Sequence, residues 1–514
     1  MPGQPKPAFY VVAGVIVVVL VGFAIWRLSP KPKDTPSTAP DIPVAKGGDT
    51  GKRVEVGPAP GEPAIDLTEK TYEFVPKDTL PQVKGKSSYK PLADTKAVRF
   101  AINVWAGWGP IILANEGFKA GKVWKTPDGT EFKVELVLID DPVAMRDAYV
   151  NGEVHVGWGT LDMVPLMLQT MVNAKGQPQD DAATKFMPRV FQQIDWSSGG
   201  DGIVVRDTIN TAADLKGKKI VLAQNSPSEY FALNMLVAAG VQPRDVKFVH
   251  TKTAFQAAAA FNAEKDLSAC VSWSPDIYTL TKVKGNKMLV TTAQANKLIA
   301  DVWFARADFA RDYPNVIEAL VRGIFDAMED MATKDEAKKK AAELMAAKDG
   351  YNLPLDAAND MLGDAHNTNW AENFQFFLNQ NNPTNFEHVW KNAYALYSHP
   401  QIHVITHQPV PFDQVMDFSV IKKLGDDPKY AGQKDRGRVT AAAPLPVPAE
   451  DTPEILGSRF NIRFYPNSAE LHKTIVRKKD GKDVEEPYDP TIDDTMQKIA
   501  QLIETFGATR VVIE

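Results

Sequence analysis

From Val98 to Lys334, short apolar strand patterns alternate with helical periodicity, and this alternation limits the possible folds more than any other feature of the chain. Val98–Val104, Phe132–Asp140, Glu153–Gly159, Ile203–Val205, the second half of Thr211–Asn225, Val246–Thr251, Leu267–Asp276 and Val302–Ala310 read as strands. Gly107–Gly121, Pro142–Gly152, Leu161–Val172, Ser226–Gly240, Ala254–Asp266 and the long amphipathic Pro314–Lys334 read as helices, several opened by proline or closed by glycine. Strands and helices alternating at this pitch imply an α/β unit with a mostly parallel sheet. The pattern pauses at Asp195–Gly202 (DWSSGGDG) and then resumes.

The ordered stretches WGPIILANEGF, DAYVNGEVHVGWG, GIVVRDTINTAADLKGKKIVLAQNSPSEYFALNMLVAAGVQPRDVKFV, AAAAFNAEKDLSACVSWSPD and ARADFARDYPNVIEALVRGIFDAM carry a family resemblance. Over about 96–410 the chain resembles the periplasmic substrate-binding proteins of ABC transporters, of the nitrate/sulfonate/taurine and thiamine-precursor type. It departs from them at Glu264-Lys265-Asp266-Leu267, where a Gly-x-x-Asp-Ala pattern is usual, and in its higher tryptophan content. The resemblance implies a two-lobed periplasmic-binding-protein fold of type II over 67–439. Lobe one is expected at about 96–198 and 305–435, lobe two at about 203–298. Hinges are expected near 195–202 and 299–305, with closure on a small-molecule solute.

In open α/β sheets, ligands sit beyond the carboxyl ends of the strands. That rule selects Trp105, Trp108, Gly159, Thr160, Asp162, Asn225, Ser226, Ser228, Tyr230, Trp273 and Asp276, and the hinges add Asp195 and Trp303. The indole and phenol groups among them, with Trp158 and Trp196 nearby, suit a flat, apolar or cationic group. Ser226-Pro227-Ser228-Glu229 reads as a capping box whose Glu229 adds negative charge to a helix end that would otherwise favour an anion. The strand-end loops contain no Arg or Lys. The expected solute is therefore neutral or cationic and partly aromatic.

Composition excludes several chemistries. The one cysteine, Cys270, rules out an internal disulfide, a Cys-rich zinc site and an iron–sulfur cluster. A net charge of −6 gives no general pull toward nucleic acid. His155 reads as a packed strand histidine, and His403 and His407 lie in a strand-like segment unsuited to metal. Nucleophile elbows and phosphate-binding Gly-Lys-Ser/Thr loops are absent from the sequence. The expectation is no catalysis, no cofactor and no metal.

Ala8–Trp26 is free of charged residues, with Tyr10 and Trp26 at its ends. It is long enough to approach the ~30 Å of a hydrocarbon core, so 8–28 reads as a transmembrane anchor. Residues 29–66 form a Pro-rich linker and 440–456 an Ala/Pro linker. Residues 67–94 read either as a lead-in or as a strand packed on the body. Lys6 precedes the span while Arg27, Lys31 and Lys33 follow it, which favours a cytoplasmic body. The family resemblances point the other way.

After the second linker come the alternating strand Arg459–Tyr465, Phe464 with Ser468 and Leu471, a charged insert over 478–489, the helix Thr491–Gly507 and the strand Ala508–Glu514. Residues 457–514 resemble the N-terminal half of an OmpA-like peptidoglycan-binding domain, a partial α+β unit. The loop and helix that grip the peptide stem in that family would follow Glu514, so the natural chain is expected to continue. Together these readings describe an inner-membrane, single-pass protein with its bulk in the periplasm. Its expected partners are a solute, an ABC permease or other inner-membrane complex, and peptidoglycan if the domain is complete. The alternative is a wall-anchored, MotB-like arm with a sensory or degenerate cleft. An enzyme of the thiamine-precursor type ranks below both, because the loops lack a reactive His and Lys.

Overall fold

Two mixed β-sheets built on one plan organise the computed structural model. It describes residues 53–56, 65–76, 80–400, 402, 404–436, 462–463, 465, 470–479 and 482–505, within one unit that begins at Thr50. The strands, in chain order, are β1 (Val54–Glu55), β2 (Thr71–Tyr72), β3 (Phe74–Val75), β4 (Ala97–Ile102), β5 (Trp124–Lys125), β6 (Glu131–Leu138), β7 (Val156–Thr160), β8 (Pro188–Ser197) and β9 (Asp201–Arg206). They continue with β10 (Lys219–Ala223), β11 (Lys247–Thr251), β12 (Ala269–Trp273), β13 (Asn286–Thr291), β14 (Ala300–Arg306), β15 (Ala365–Asn367), β16 (Thr474–Lys479) and β17 (Lys482–Pro487).

The first sheet has the order β15-β8-β14-β7-β4-β6-β5 and the second β13-β9-β12-β10-β11-β3. Each holds a parallel trio, β6-β4-β7 in one and β11-β10-β12 in the other. Each trio is flanked by an antiparallel strand, β14 beside β7 and β9 beside β12. β7, β12 and β14 are buried along their whole length, as expected of strands covered on both faces. Helices flank the sheets. The longest, Pro314–Thr333, turns Ile317, Leu320, Val321, Ile324, Phe325 and Met328 into the core.

The chain passes between lobes over 198–200 and again over 292–299. The second passage lies just before the expected 299–305. Ala300–Arg306 is itself a first-lobe strand, because its wholly apolar and neutral centre (Val302–Ala305) is paired on both sides, by β7 and β8. The ambiguous stretch 67–94 is a third connection. β3 pairs with β11 at the edge of the second sheet. Farther on, Asn151 donates to the Lys84 carbonyl at 2.7 Å and the Tyr89 ring packs against Phe309 and Tyr313 of the first lobe. The stretch read as linker also contains β1, which pairs with β2, and Val56 and Ile65, which pack on the second lobe's core. These few apolar side chains of a Pro-rich segment find a hydrophobic surface, which outweighs its turn-rich composition.

Residues read as a charged insert form the antiparallel pair β16–β17. Lys478 stands opposite Asp483 across it, and Arg477 and Lys479 reach along the same pair to form ion pairs with Glu486. The helix that follows spans Ile492–Thr505. The expected anchor at 8–28, the linker at 440–456 and the terminal strand over 508–514 lie outside the described residues. Among those that are described, no helix is long and apolar enough to cross a membrane.

Candidate functional site

The carboxyl ends of parallel strands from both lobes meet at one enclosed point. Asn103 and Trp105 follow β4, Trp158 and Thr160 end β7, and Trp273 ends β12. Together with Pro227, Asp201, Ile299 and Asp301 they line a cavity of about 10 Å³, room for roughly one water molecule. The lobes are closed upon each other here. Trp273 of the second lobe donates its Nε1–H to the Val104 carbonyl of the first at 3.0 Å. Tyr278 donates to Asp364 Oδ1 at 2.8 Å.

Of the residues selected from the sequence, Trp105, Thr160 and Trp273 line the cavity. Asp195 lies behind Trp105, whose Nε1 is 3.3 Å from its Oδ2. Trp108 donates to Asn103 Oδ1 at 2.6 Å and packs its ring against Trp303 at 4.2 Å between centroids. Both indoles are fully buried, and Trp303 also packs edge-on against Phe100, so they support the wall rather than forming it. Gly159 lies against Phe304. Asp162 is buried within 3.4 Å of the Tyr397 hydroxyl, and Tyr230 packs its ring against Tyr397. Asn225 takes a left-handed φ of 55° at the turn into the helix Pro227–Ala238. The Asn225 Oδ1 and Ser228 Oγ atoms are buried without a hydrogen-bond partner.

One expectation is corrected. The capping box does not form: Ser226 turns its hydroxyl back to the Ala223 carbonyl at 2.8 Å, and Glu229 faces His250 across 3.7 Å. The sharp turn at Asn225 aims the serine at the strand it has just left. Asp276 does not face the cavity. Its Oδ1 accepts from the Thr68 backbone N–H at 3.0 Å and from the Thr68 hydroxyl at 2.8 Å, which ties down the N-terminal segment.

Sequence reasoning missed Asp201 as a site residue. It was visible only as part of a glycine-rich hinge, and its place on the wall follows from the first crossover, which delivers β9 next to β12. His155, read as a packed histidine, accepts at Nδ1 from the Arg99 N–H at 2.9 Å and lies against Phe309. Burial lowers its pKa to about 4. Cys270 is buried, which raises its thiol pKa. His407 places Nδ1 at 2.8 Å from the Gln408 carbonyl oxygen, and His403 lies outside the described residues.

The electrostatics of the site are one-sided. Asp162, Asp195, Asp201 and Asp301 are all buried, and among the described residues none has an ion pair with Lys or Arg. Burial lifts Asp162, Asp195 and Asp201 to about 7. It lifts Asp301 well above the usual range, with repulsion from Asp195 and Asp201 adding to the effect. Asp364, at the rim, is raised to about 6 by burial. Buried carboxyls without countercharges hold their protons, because the ionised form is costly in a poorly solvated place.

Residues 201–337 match the family model described as NMT1/THI5 like. The taurine-binding periplasmic protein of Escherichia coli (strain K12) is 28% identical over 208 residues, which cover 40% of this chain and 59% of that relative. Among solved structures, the alkanesulfonate-binding protein SsuA from Xanthomonas axonopodis pv. citri, bound to MOPS, aligns at 17% identity. That alignment covers 63% of this chain and 99% of SsuA, with a TM-score of 0.45. The periplasmic nitrate-binding protein NrtA from Synechocystis PCC 6803 aligns at 14% identity over 70% of this chain and 91% of NrtA, with a TM-score of 0.47.

Proposed function

We propose that this chain is an extracytoplasmic solute-binding protein of an ABC-type uptake or sensing system. In this reading it is held at the inner membrane by the span at 8–28 and directed toward the cell wall by an OmpA-like unit beginning at 457. The observation that carries it is the cavity where strand ends of both lobes meet, flanked by the two interlobe passages. Such a site opens and closes by hinge motion, and a solute that binds between the lobes stabilises the closed form. The family match over 201–337 and the taurine-binding relative support a binding protein rather than an enzyme. They also support an ABC permease as partner.

A second reading has one observation in its favour. A cavity of about 10 Å³ admits no organic solute unless the lobes part, which suits a wall-anchored arm whose cleft has fallen out of use. A thermal-shift screen of the full-length chain in detergent separates the two. The panel is sulfonates, nitrate, phosphate, amines, betaines, amino acids and pyrimidines. A ligand present at a hundred times its Kd adds about 2.7 kcal/mol and raises Tm by a few degrees. Silence across the panel from a cooperatively melting sample would favour the arm.

A further inference from the structure

We propose that the interlobe site takes an organic cation bearing a primary ammonium group on an apolar or aromatic body. The inference rests on the reading of the chain as a solute-binding protein and specifies the charge and donor chemistry of its solute.

The cavity wall presents two carboxyl groups and three indoles: Asp201 and Asp301 with Trp105, Trp158 and Trp273. Asp201 is 3% exposed. Its Oδ2 accepts from the Ser197 hydroxyl at 2.7 Å, while its Oδ1 is buried without any partner. A buried acceptor left unpaired costs free energy that a donor on a ligand would recover. Asp162 and Asp195 lie behind the wall with no Lys or Arg paired to either among the described residues, and His366 acts on Asp195 only through its charge. An anion placed here would meet a group of buried carboxyls with no Lys or Arg paired to them among the described residues, and any that ionised would repel it. A cation instead favours ionisation of these carboxyls, as an opposite charge lowers a carboxyl pKa, and is attracted to the indoles of the wall. The unpaired Asp201 oxygen adds a requirement for an N–H donor. A primary ammonium carries three such donors, whereas a quaternary ammonium carries none and would leave that oxygen unsatisfied.

Isothermal titration of the full-length chain in detergent tests this. The probes are benzylamine, tyramine and putrescine, with benzyltrimethylammonium and benzenesulfonate for comparison. At least one primary amine is expected to bind, with the quaternary analogue weaker by about tenfold or more, the loss of one charge-assisted hydrogen bond. Benzenesulfonate is expected not to bind. Asp201→Asn is expected to weaken the amine by a similar factor, and Asp301→Asn serves as a second variant if the first does not fold. Binding of benzenesulfonate without any amine overturns the cationic assignment and leaves the solute-binding reading standing. Amine binding that neither variant weakens overturns the site. No heat from any probe, with a cooperative melt, counts against both readings.

Discussion

Asp301 stands directly opposite Asp195 across the antiparallel pair β8–β14, with Thr160 facing it from β7 on the other side. Like charges placed opposite each other across a strand pair destabilise it, and here both are buried. The pair therefore keeps protons that free carboxyls would lose, and stability becomes linked to pH. A carboxyl whose folded-state pKa is raised binds its proton more tightly in the folded state than in the unfolded chain. Its stabilising effect is complete below about pH 4, the unfolded value, and is lost as pH rises toward 7. His155, held to about 4 by burial, acts in the opposite sense below pH 6.5. The readout is accordingly the difference between wild type and Asp301→Asn. The variant should be the more stable at pH 7.5, by several degrees in Tm, and the gap should narrow toward pH 4.5. A gap that does not change with pH would refute the account.

Gly107 supports the same pair by having no side chain. A Cβ there would lie 1.8 Å from Asp195 Oδ2 and 2.5 Å from Trp105 Nε1. Gly107→Ala must displace both groups in a region with no spare volume. The expected cost is about 1–3 kcal/mol, the usual range for overpacking. Gly121 is the matched control, since a Cβ there meets nothing within 4 Å. Denaturant titration of the two variants should separate them, and equal midpoints would show that Asp195 moves aside freely.

The parts of this molecule that sequence could reveal are those set by local periodicity. Glu131–Leu138 announces itself by alternation, Lys219–Ala223 and Ala269–Trp273 as short apolar runs, and Pro314–Thr333 as an amphipathic stripe. The strand-end rule brought Trp105, Thr160 and Trp273 to one cavity because sheet geometry forces parallel strand ends together. What sequence did not convey depends on register and on which chain crosses where. Asp201 becomes a wall residue only when β9 pairs with β12. Asp276 is equally buried and equally acidic, yet it faces Thr68, a partner 208 positions away. Local pattern holds no information about that pairing.

Tyr278 and Asp364 join the lobes at the rim. The Tyr278 hydroxyl lies 2.8 Å from Asp364 Oδ1 and 3.0 Å from the Gly199 carbonyl oxygen, at the first interlobe passage. Tyr278→Phe removes the hydrogen bonding and keeps the ring. A net hydrogen bond is worth about 1 kcal/mol, which shifts an open–closed equilibrium roughly fivefold. Small-angle scattering of the unliganded protein should show a larger radius of gyration in the variant, together with weaker solute binding. Unchanged scattering and affinity would mean that the Trp273 contact to Val104 suffices to hold the rim.

The N-terminal segment gives the last test, because it distinguishes an anchoring role for Asp276 from a solute-binding one. Thr68 is held by two hydrogen bonds to Asp276 Oδ1. Around it, Leu67 and Tyr72 bury against Ile277, Leu280 and the alanines of the helix Ala254–Ala263. Tyr72 also donates to Glu264, and Thr253 to Glu69 at 2.5 Å. The segment thus adds an edge strand and an apolar cover to the second lobe before the chain passes to the first. Asp276→Ala leaves the Thr68 N–H and hydroxyl without their partner while the apolar contacts remain. Local opening of 65–76 should therefore become more frequent without global unfolding. Limited proteolysis should cleave within 65–76 faster in the variant by about tenfold, the effect of losing hydrogen bonds to a buried carboxyl. Solute affinity should stay within about twofold of wild type, since additive behaviour is expected of sites that share no partner. If affinity collapses while the proteolysis rate is unchanged, Asp276 faces the solute in the open form, and its attachment to Thr68 is secondary.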